Sequence, residues 1–192
     1  MANENSKRVL EDSLRDAGVI WKSEYPYFVH PLSDGIPRME PQVLRAVRDL
    51  IVDSVQWDRV DLMVGPEAMA LPLLAVLGEA VNKPWVVIRK RPYGLASETE
   101  AQASTGYSES ALYINDVMPG ERLLVIDDVI STGGTLESLL TALTERGSVL
   151  EDVVAVIEKG DGRERLHRRY PEWPLRSLVR IEIIDGRVQV CS

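Results

Sequence analysis

Short apolar runs that do not alternate with polar residues recur along this chain, and amphipathic stretches separate them. No other feature constrains the fold as much. The runs are "VDLMV" (Val60 to Val64), "WVVI" (Trp85 to Ile88), "LLVI" (Leu123 to Ile126), "VVAVI" (Val153 to Ile157) and "SLVRIEI" (Ser177 to Ile183). A strand that is apolar on both sides belongs to a sheet covered on both faces, as in parallel sheets with crossover helices. The intervening helices are predicted at Pro72 to Val81 and around Leu136, Leu139, Leu140 and Leu143, the latter ending at Gly147. Two more precede the first strand. One carries Val9, Leu10, Leu14 and Ala17 with Gly18 as its C-terminal cap; the other opens at Pro41 and turns Leu44, Val47, Leu50, Ile51 and Val55 inward. The fold class is α/β, a doubly wound parallel sheet, and residues 1–192 are read as one domain.

Asp185-Gly186 between two strand-like runs signals a closing hairpin. Two segments escape the alternation. "VIWKSEYPYFVHPLSDGIPRMEP" mixes proline, glycine and aromatics without a period and reads as an ordered loop. Arg89 to Glu121 is long and polar, and reads as two short strands joined by a flexible tip, with Pro92 to Ser110 as a natural lid.

A net charge of −8 and a pI near 4.9 argue against non-specific attraction to nucleic acid. The apolar runs are too short to span a bilayer and the N-terminus shows no signal-peptide core, so a cytoplasmic location is expected. The single cysteine, Cys191, has no partner for an internal disulfide.

The chemistry concentrates in "LLVIDDVISTGGT", Leu123 to Thr135. Ligands of parallel α/β sheets bind where strands end, and Asp127 and Asp128 follow the apolar run to that edge. Ionised carboxylates accept hydrogen bonds and donate none, so vicinal sugar hydroxyls would satisfy the pair. Ser131, Thr132, Gly133, Gly134 and Thr135 then lead into a helix, whose first N–H groups and dipole suit a phosphate. Each half alone has an ordinary reading, as a strand-end turn and a helix cap. The order of the whole asks for a phosphorylated sugar, and the absence of the P-loop lysine excludes a P-loop.

This run resembles the phosphoribosyl pyrophosphate signature of the type I phosphoribosyltransferases, and the resemblance extends from about Tyr25 to Ile183. The patterns are nearest to adenine-type enzymes and to archaeal hypoxanthine/guanine enzymes. The family implies a homodimer, a hood over the base, a loop that closes over the reacting atoms, and Mg²⁺ carried by phosphoribosyl pyrophosphate (PRPP). The implied products are a nucleoside 5′-monophosphate and pyrophosphate.

Carried over by position, Asp127 and Asp128 would bind the ribose 2′- and 3′-hydroxyls, and Ser131 to Thr135 the 5′-phosphate. "GPEAM" resembles the pyrophosphate loop, with Glu67, Ala68 and Met69 facing the leaving group. Arg89, Lys90 and Arg91 resemble the basic cluster that offsets its charge, although a basic triplet is also ordinary surface. "YPYFVHPLSDG" resembles the adenine-type hood: Phe28 would stack on the purine while the Tyr27 and Val29 backbones bond its edge, a core phenylalanine being the alternative. His30 and His167 read as structural or exposed.

Two departures bear on catalysis. Hypoxanthine-guanine enzymes of the better-known kind have an aspartate where Ser131 stands, and adenine enzymes have a glutamate where Gly106 precedes Tyr107. The catalytic acid or base is therefore unassigned, with Glu98 and Glu100 as candidates from the same loop. Lys159, after the strand ending near Ile157, would donate to the O6 carbonyl of hypoxanthine or guanine rather than face the amino group of adenine, unless it is a solvated loop residue. The alternatives are an adenine phosphoribosyltransferase and, from another class, a purine- or PRPP-sensing regulator. A regulator would need a DNA-binding footprint, and the chain shows neither a helix-turn-helix nor a basic patch.

Overall fold

A computed structural model describes residues 2–23, 25–105 and 108–191 of the chain. Its centre is a six-stranded sheet in the order β10-β9-β8-β7-β3-β4, with β3 (Leu62–Pro66), β4 (Trp85–Ile88), β7 (Arg122–Ile130), β8 (Val149–Lys159), β9 (Leu175–Ile184) and β10 (Arg187–Cys191). All neighbours run parallel except β9 and β10, which form the hairpin turning at Asp185-Gly186. Both turn residues have positive φ, 50° and 70°, as a type I′ turn requires.

The strands are apolar on both sides because both faces are covered. Leu124, Ile126, Val154 and Val156 point into one core with α1 (Ala2–Arg15), α3 (Pro41–Val52) and α4 (Ala70–Val81). Leu123, Val125, Val153 and Ala155 point into the other, against α5 (Gly134–Glu145). Burial at this density makes single truncations costly, about 2–5 kcal/mol for Leu or Ile to Ala.

Gly147, with φ of +84°, ends the last turn of α5: its N–H donates to Thr144 O and that of Ser148 to Leu143 O. Gly18 does not cap α1. It begins β1 (Gly18–Lys22), which pairs antiparallel with β2 (Tyr25–Val29), followed by the short helix α2 (Pro31–Asp34). The segment expected as an ordered loop is thus a hairpin and a helical turn. Pro26 is tolerated because a two-stranded ribbon leaves every strand with a free edge.

The long polar segment does hold two strands, β5 (Thr99–Thr105) and β6 (Ser108–Ile114), in antiparallel register. Their inner residues Ala101, Leu112 and Ile114 pack into the α5-side core. The expected flexible tip, with Gly106 and Tyr107, lies outside the described residues. A sixth helix, α6 (Gly162–Arg169), has no counterpart among the predicted elements.

Candidate active site

The carboxyl ends of β3, β7 and β8 converge on one edge of the sheet, where the chain places nearly every polar residue singled out above. β7 and β3 approach very closely there. A Cβ on Gly65 would lie 2.5 Å from Ile126 O and 2.6 Å from Ala70 Cβ, so only glycine fits between the strands. β7 continues through the acid pair to Ile130, and Asp127 and Asp128 are therefore strand residues with fixed directions.

Asp127 is buried and its Oδ1 accepts the Asp128 N–H at 3.0 Å. Burial raises the pKa of both carboxyls well above the ordinary range; for Asp128 the adjacent Asp127 raises it further, and Asp34 from α2 adds to this. Lys90 opposes the shift at Asp127. Among the described residues neither acid has an ion-pair partner. Carboxylates held this way are poor neighbours for each other and good acceptors for a ligand that brings hydroxyl donors and positive charge.

Beyond β7, Ser131 to Gly133 turn the chain into α5. Gly133 is its N-cap with φ of +79°, and no side chain caps the helix. The helix's opening N–H groups are left without a side-chain acceptor, which weighs against reading "STGGT" as an ordinary cap and suits an anion. A cavity of about 120 Å³ lined by Asp127, Ser131, Thr132, Gly133, Gly134 and Thr135 lies at this point.

Across the edge, Glu67 follows β3, joined to Ala68 by a cis peptide bond. Its carboxylate accepts the Lys90 N–H and pairs with Arg89 at 3.1 Å, which ties the predicted pyrophosphate loop, Glu67 to Met69, to the basic triplet. Arg89 and Arg91 both lie against the Tyr93 ring, and Arg91 also donates to the Tyr93 hydroxyl. Of the triplet, the Arg89 side chain and the Lys90 backbone contact the loop, while Arg91 lies exposed against Tyr93.

The β1–β2 hairpin closes the site from above. Tyr25 and Tyr27 share one face of β2. Tyr25 Oη lies 3.2 Å from Ser131 Oγ, and Tyr27 donates to Asp34 Oδ1 at 2.8 Å. Burial and the Asp34 carboxylate push the Tyr27 hydroxyl up to about 12, and Asp128 contributes. Lys159, at the end of β8, donates 2.7 Å hydrogen bonds to Tyr25 Oη and Pro26 O, with its ammonium 3.9 Å from the Tyr25 ring centre. Sequence reasoning did not single out Tyr25 or Asp34. The signal was present in "YPYFVHPLSD", where period two sets Tyr25 and Tyr27 opposite Phe28.

Phe28 does not stand where stacking would need it. Its side chain is 3% exposed and packs in the core with Leu10, Leu14 and Leu32, so no ring face is open to a purine. Val29, next in β2, is half-buried. His30 is structural as expected: Nδ1 accepts the Leu32 N–H to cap α2, and Nε2 lies 3.3 Å from Ser13 Oγ.

The catalytic candidates separate. Glu98 accepts from Asn115 Nδ2, Tyr93 N and Gly94 N at 2.8–3.1 Å, and these bonds, that from Asn115 foremost, hold its carboxyl below the ordinary range. A carboxylate held by three donors fastens the loop and is a weaker base than a free one. Glu100 lines a different space, a cavity of about 860 Å³ between β5, α5 and α6 that touches the phosphate loop at Thr132 and Gly134.

A phosphoribosyl transferase domain model matches residues 39–188. The chain belongs to the phosphoribosyltransferase family. It is 42% identical over 181 residues to a hypoxanthine/guanine phosphoribosyltransferase of Methanocaldococcus infernus, covering 94% of this chain and 98% of that one. The protein of the same name from Ferroglobus placidus is 44% identical, with 94% and 95% covered. In fold the chain is similar to adenine phosphoribosyltransferases of Thermoanaerobacter pseudethanolicus and Rhodothermus marinus. Both give a TM-score of 0.75, at 19% and 20% identity, over 91% and 92% of this chain and 99% of each structure. At the level of fold, then, this phosphoribosyltransferase resembles the adenine enzymes, while its near relatives in sequence carry a 6-oxopurine name.

Proposed function

We propose that the protein transfers the 5-phosphoribosyl group of PRPP to N9 of hypoxanthine or guanine, releasing pyrophosphate. The observation that carries the choice of base is Lys159. Two of its three N–H donors are engaged by Tyr25 Oη and Pro26 O, which fixes the ammonium under the hood with one donor to spare. A 6-oxo group accepts that donor. The 6-amino group of adenine would meet it donor to donor, and such a mismatch discriminates strongly because buried polar groups are left unpaired. The names of the archaeal relatives support the same reading.

Displacement at the anomeric carbon places positive charge on the ribosyl ring while the pyrophosphate leaves. In this reading Asp127 and Asp128 hold the two ribose hydroxyls, and the loop Ser131 to Thr135 holds the 5′-phosphate. Glu67 to Met69 with Arg89, Lys90 and Arg91 receive the pyrophosphate, and the hood hairpin orients the base through Tyr27, Val29 and Lys159. Fixed groups of this kind lower the barrier by orientation and by stabilising charge where it develops.

Mg²⁺ would arrive on the pyrophosphate oxygens and neutralise the leaving group. Among the described residues no three metal-binding side chains converge. The buried acid pair without a cation partner suits a substrate that brings a dication with it. Residues 1–192 act as one catalytic domain. We further propose a C2 homodimer and a cytoplasmic site of action; no helix of the described residues is long and apolar enough to cross a membrane.

The test is steady-state release of pyrophosphate from PRPP with adenine, hypoxanthine and guanine, for wild type and Lys159→Met. The expected result is preference for a 6-oxopurine that the substitution erodes by about tenfold or more. Adenine as the best wild-type substrate, or an unchanged preference in the variant, would overturn the assignment.

A further inference from the structure

We infer that α6 is a brace for the phosphate loop, and that Gly162 and Arg165 are positioning residues for the reaction; the inference rests on the function proposed above. The Ser131 carbonyl accepts the Gly162 N–H at 2.9 Å, and the Thr132 carbonyl accepts Arg165 Nη2 at 2.6 Å. In a trans peptide the C=O and the following N–H point in opposite directions. Pinning these two carbonyls to α6 therefore turns the N–H groups of Thr132 and Gly133 away from it, toward the side where an anion must sit.

The same helix closes on the loop at two further points. Arg165 Nη1 bonds Glu137 Oε2 at 3.2 Å, in the first turn of the helix that the loop opens. Leu166, 1% exposed, lies under Gly133, where a Cβ would come within 3.1 Å of its Cδ1. Gly162 admits no side chain. A Cβ there would stand 2.2 Å from Ser131 O and 2.8 Å from Gly133 N, so any other residue must push the loop out of place.

Arg165 meets the loop at the Thr132 carbonyl, on the side away from the anion, and its effect must pass through the direction of the loop amides. Arg169 supplies the control. It pairs with the same Glu137, at 2.7 Å, but has no bond to the loop. If α6 served only to hold the fold, loss of either arginine would act alike.

The experiment compares Arg165→Ala, Arg165→Lys, Gly162→Ala and Arg169→Ala with wild type. It measures KM for PRPP and for the base separately, Tm, and binding of ribose 5-phosphate by calorimetry. Arg165→Ala is expected to raise KM for PRPP and weaken ribose 5-phosphate binding by about tenfold, the scale of a lost charged hydrogen bond. KM for the base should stay within about twofold and Tm within about 2 °C. Arg165→Lys should restore part of the loss, Gly162→Ala should exceed it, and Arg169→Ala should match wild type. Unchanged binding in Arg165→Ala, or an equal loss in Arg169→Ala, would overturn the brace, and the arginine variants decide the matter if Gly162→Ala fails to fold. A wild type that turns over no 6-oxopurine would overturn the proposed function instead, and the ribose 5-phosphate measurement would still judge the brace.

Discussion

Asp128→Asn should impair substrate use and stabilise the free protein, two effects of opposite sign from one change of charge at constant shape. With substrate, the carboxylate is expected to accept a ribose hydroxyl, and a charge-assisted hydrogen bond contributes about 1.5–3 kcal/mol, so kcat/KM should fall roughly 10- to 150-fold. Without substrate, burial and the neighbouring Asp127 hold the Asp128 carboxyl above its ordinary pKa. An acid whose folded pKa is raised favours folding when protonated, and that advantage is lost as pH rises through the folded value. At pH 8 the buried Asp128 carboxyl holds a proton that the unfolded chain would release, which costs the wild type stability, and the amide carries no such cost. Each kcal/mol relieved should raise Tm by about 2–4 °C in a chain of this size. The gain should shrink as pH falls toward 4, where the aspartates of the unfolded chain take up protons too and the difference between the two states vanishes. Thermal scans of the free protein from pH 5 to 8, beside steady-state kinetics, measure both. A lower Tm at pH 8, or a gain independent of pH, would refute the electrostatic reasoning; unchanged kcat/KM would refute the ribose assignment.

Phe28→Ala should cost about 3–5 kcal/mol and lower Tm on the order of 10 °C, because the ring lies in the core; an unchanged Tm with a raised KM for the base would return Phe28 to the purine. His30 gives the acid pair a counterpart of opposite slope. Burial lowers its pKa from 6.5 to about 4, so folding is favoured above 6.5 and stability declines as pH falls through that window, by up to about 1.4 kcal/mol per pH unit. His30→Asn keeps an acceptor for the Leu32 N–H and should flatten the decline; a Tm profile identical to wild type between pH 7 and 4.5 would contradict this.

The parallel sheet was legible because both of its faces are covered, so a two-sided strand such as Leu123 to Ile126 has no polar position to obscure it. The acid pair and the loop after it were legible for a related reason. Polar residues placed directly after a buried run in this order are seldom met by folding needs alone, which makes them informative. What escaped was held by something other than apolar period. The helix "GRERLHRR" buries one large side chain, Leu166, and is fastened by ion pairs of Arg163 with Glu158 and of Arg165 and Arg169 with Glu137. Partners distant in sequence leave no trace in a local window. The hood hairpin escaped because Pro26 argues against a strand unless the ribbon is known to have only two strands. Phe28 stands in a stretch that resembles the adenine-type hood, and its burial depends on α1 and α2, whose packing against the hairpin no local pattern reveals.

Several places where local rules break gather at one edge of the sheet. Two aspartates inside a buried strand, an uncapped helix start, a glycine that no other residue can replace at Gly65, and Glu158, 2% exposed beside Lys159, all lie at the carboxyl edge of β3, β7 and β8. Such a gathering at the edge where parallel α/β sheets bind ligands points to a demand besides folding. In the reading proposed above, these features and Lys159 serve different needs of one ligand. The acids want hydroxyl donors, the helix start wants an anion, the glycine lets the two strands that carry these groups come together, and the lysine held by the hood wants a carbonyl. In that reading Lys159, fixed by two hydrogen bonds beneath the hairpin, would hold the base at a defined distance from the carbon it attacks.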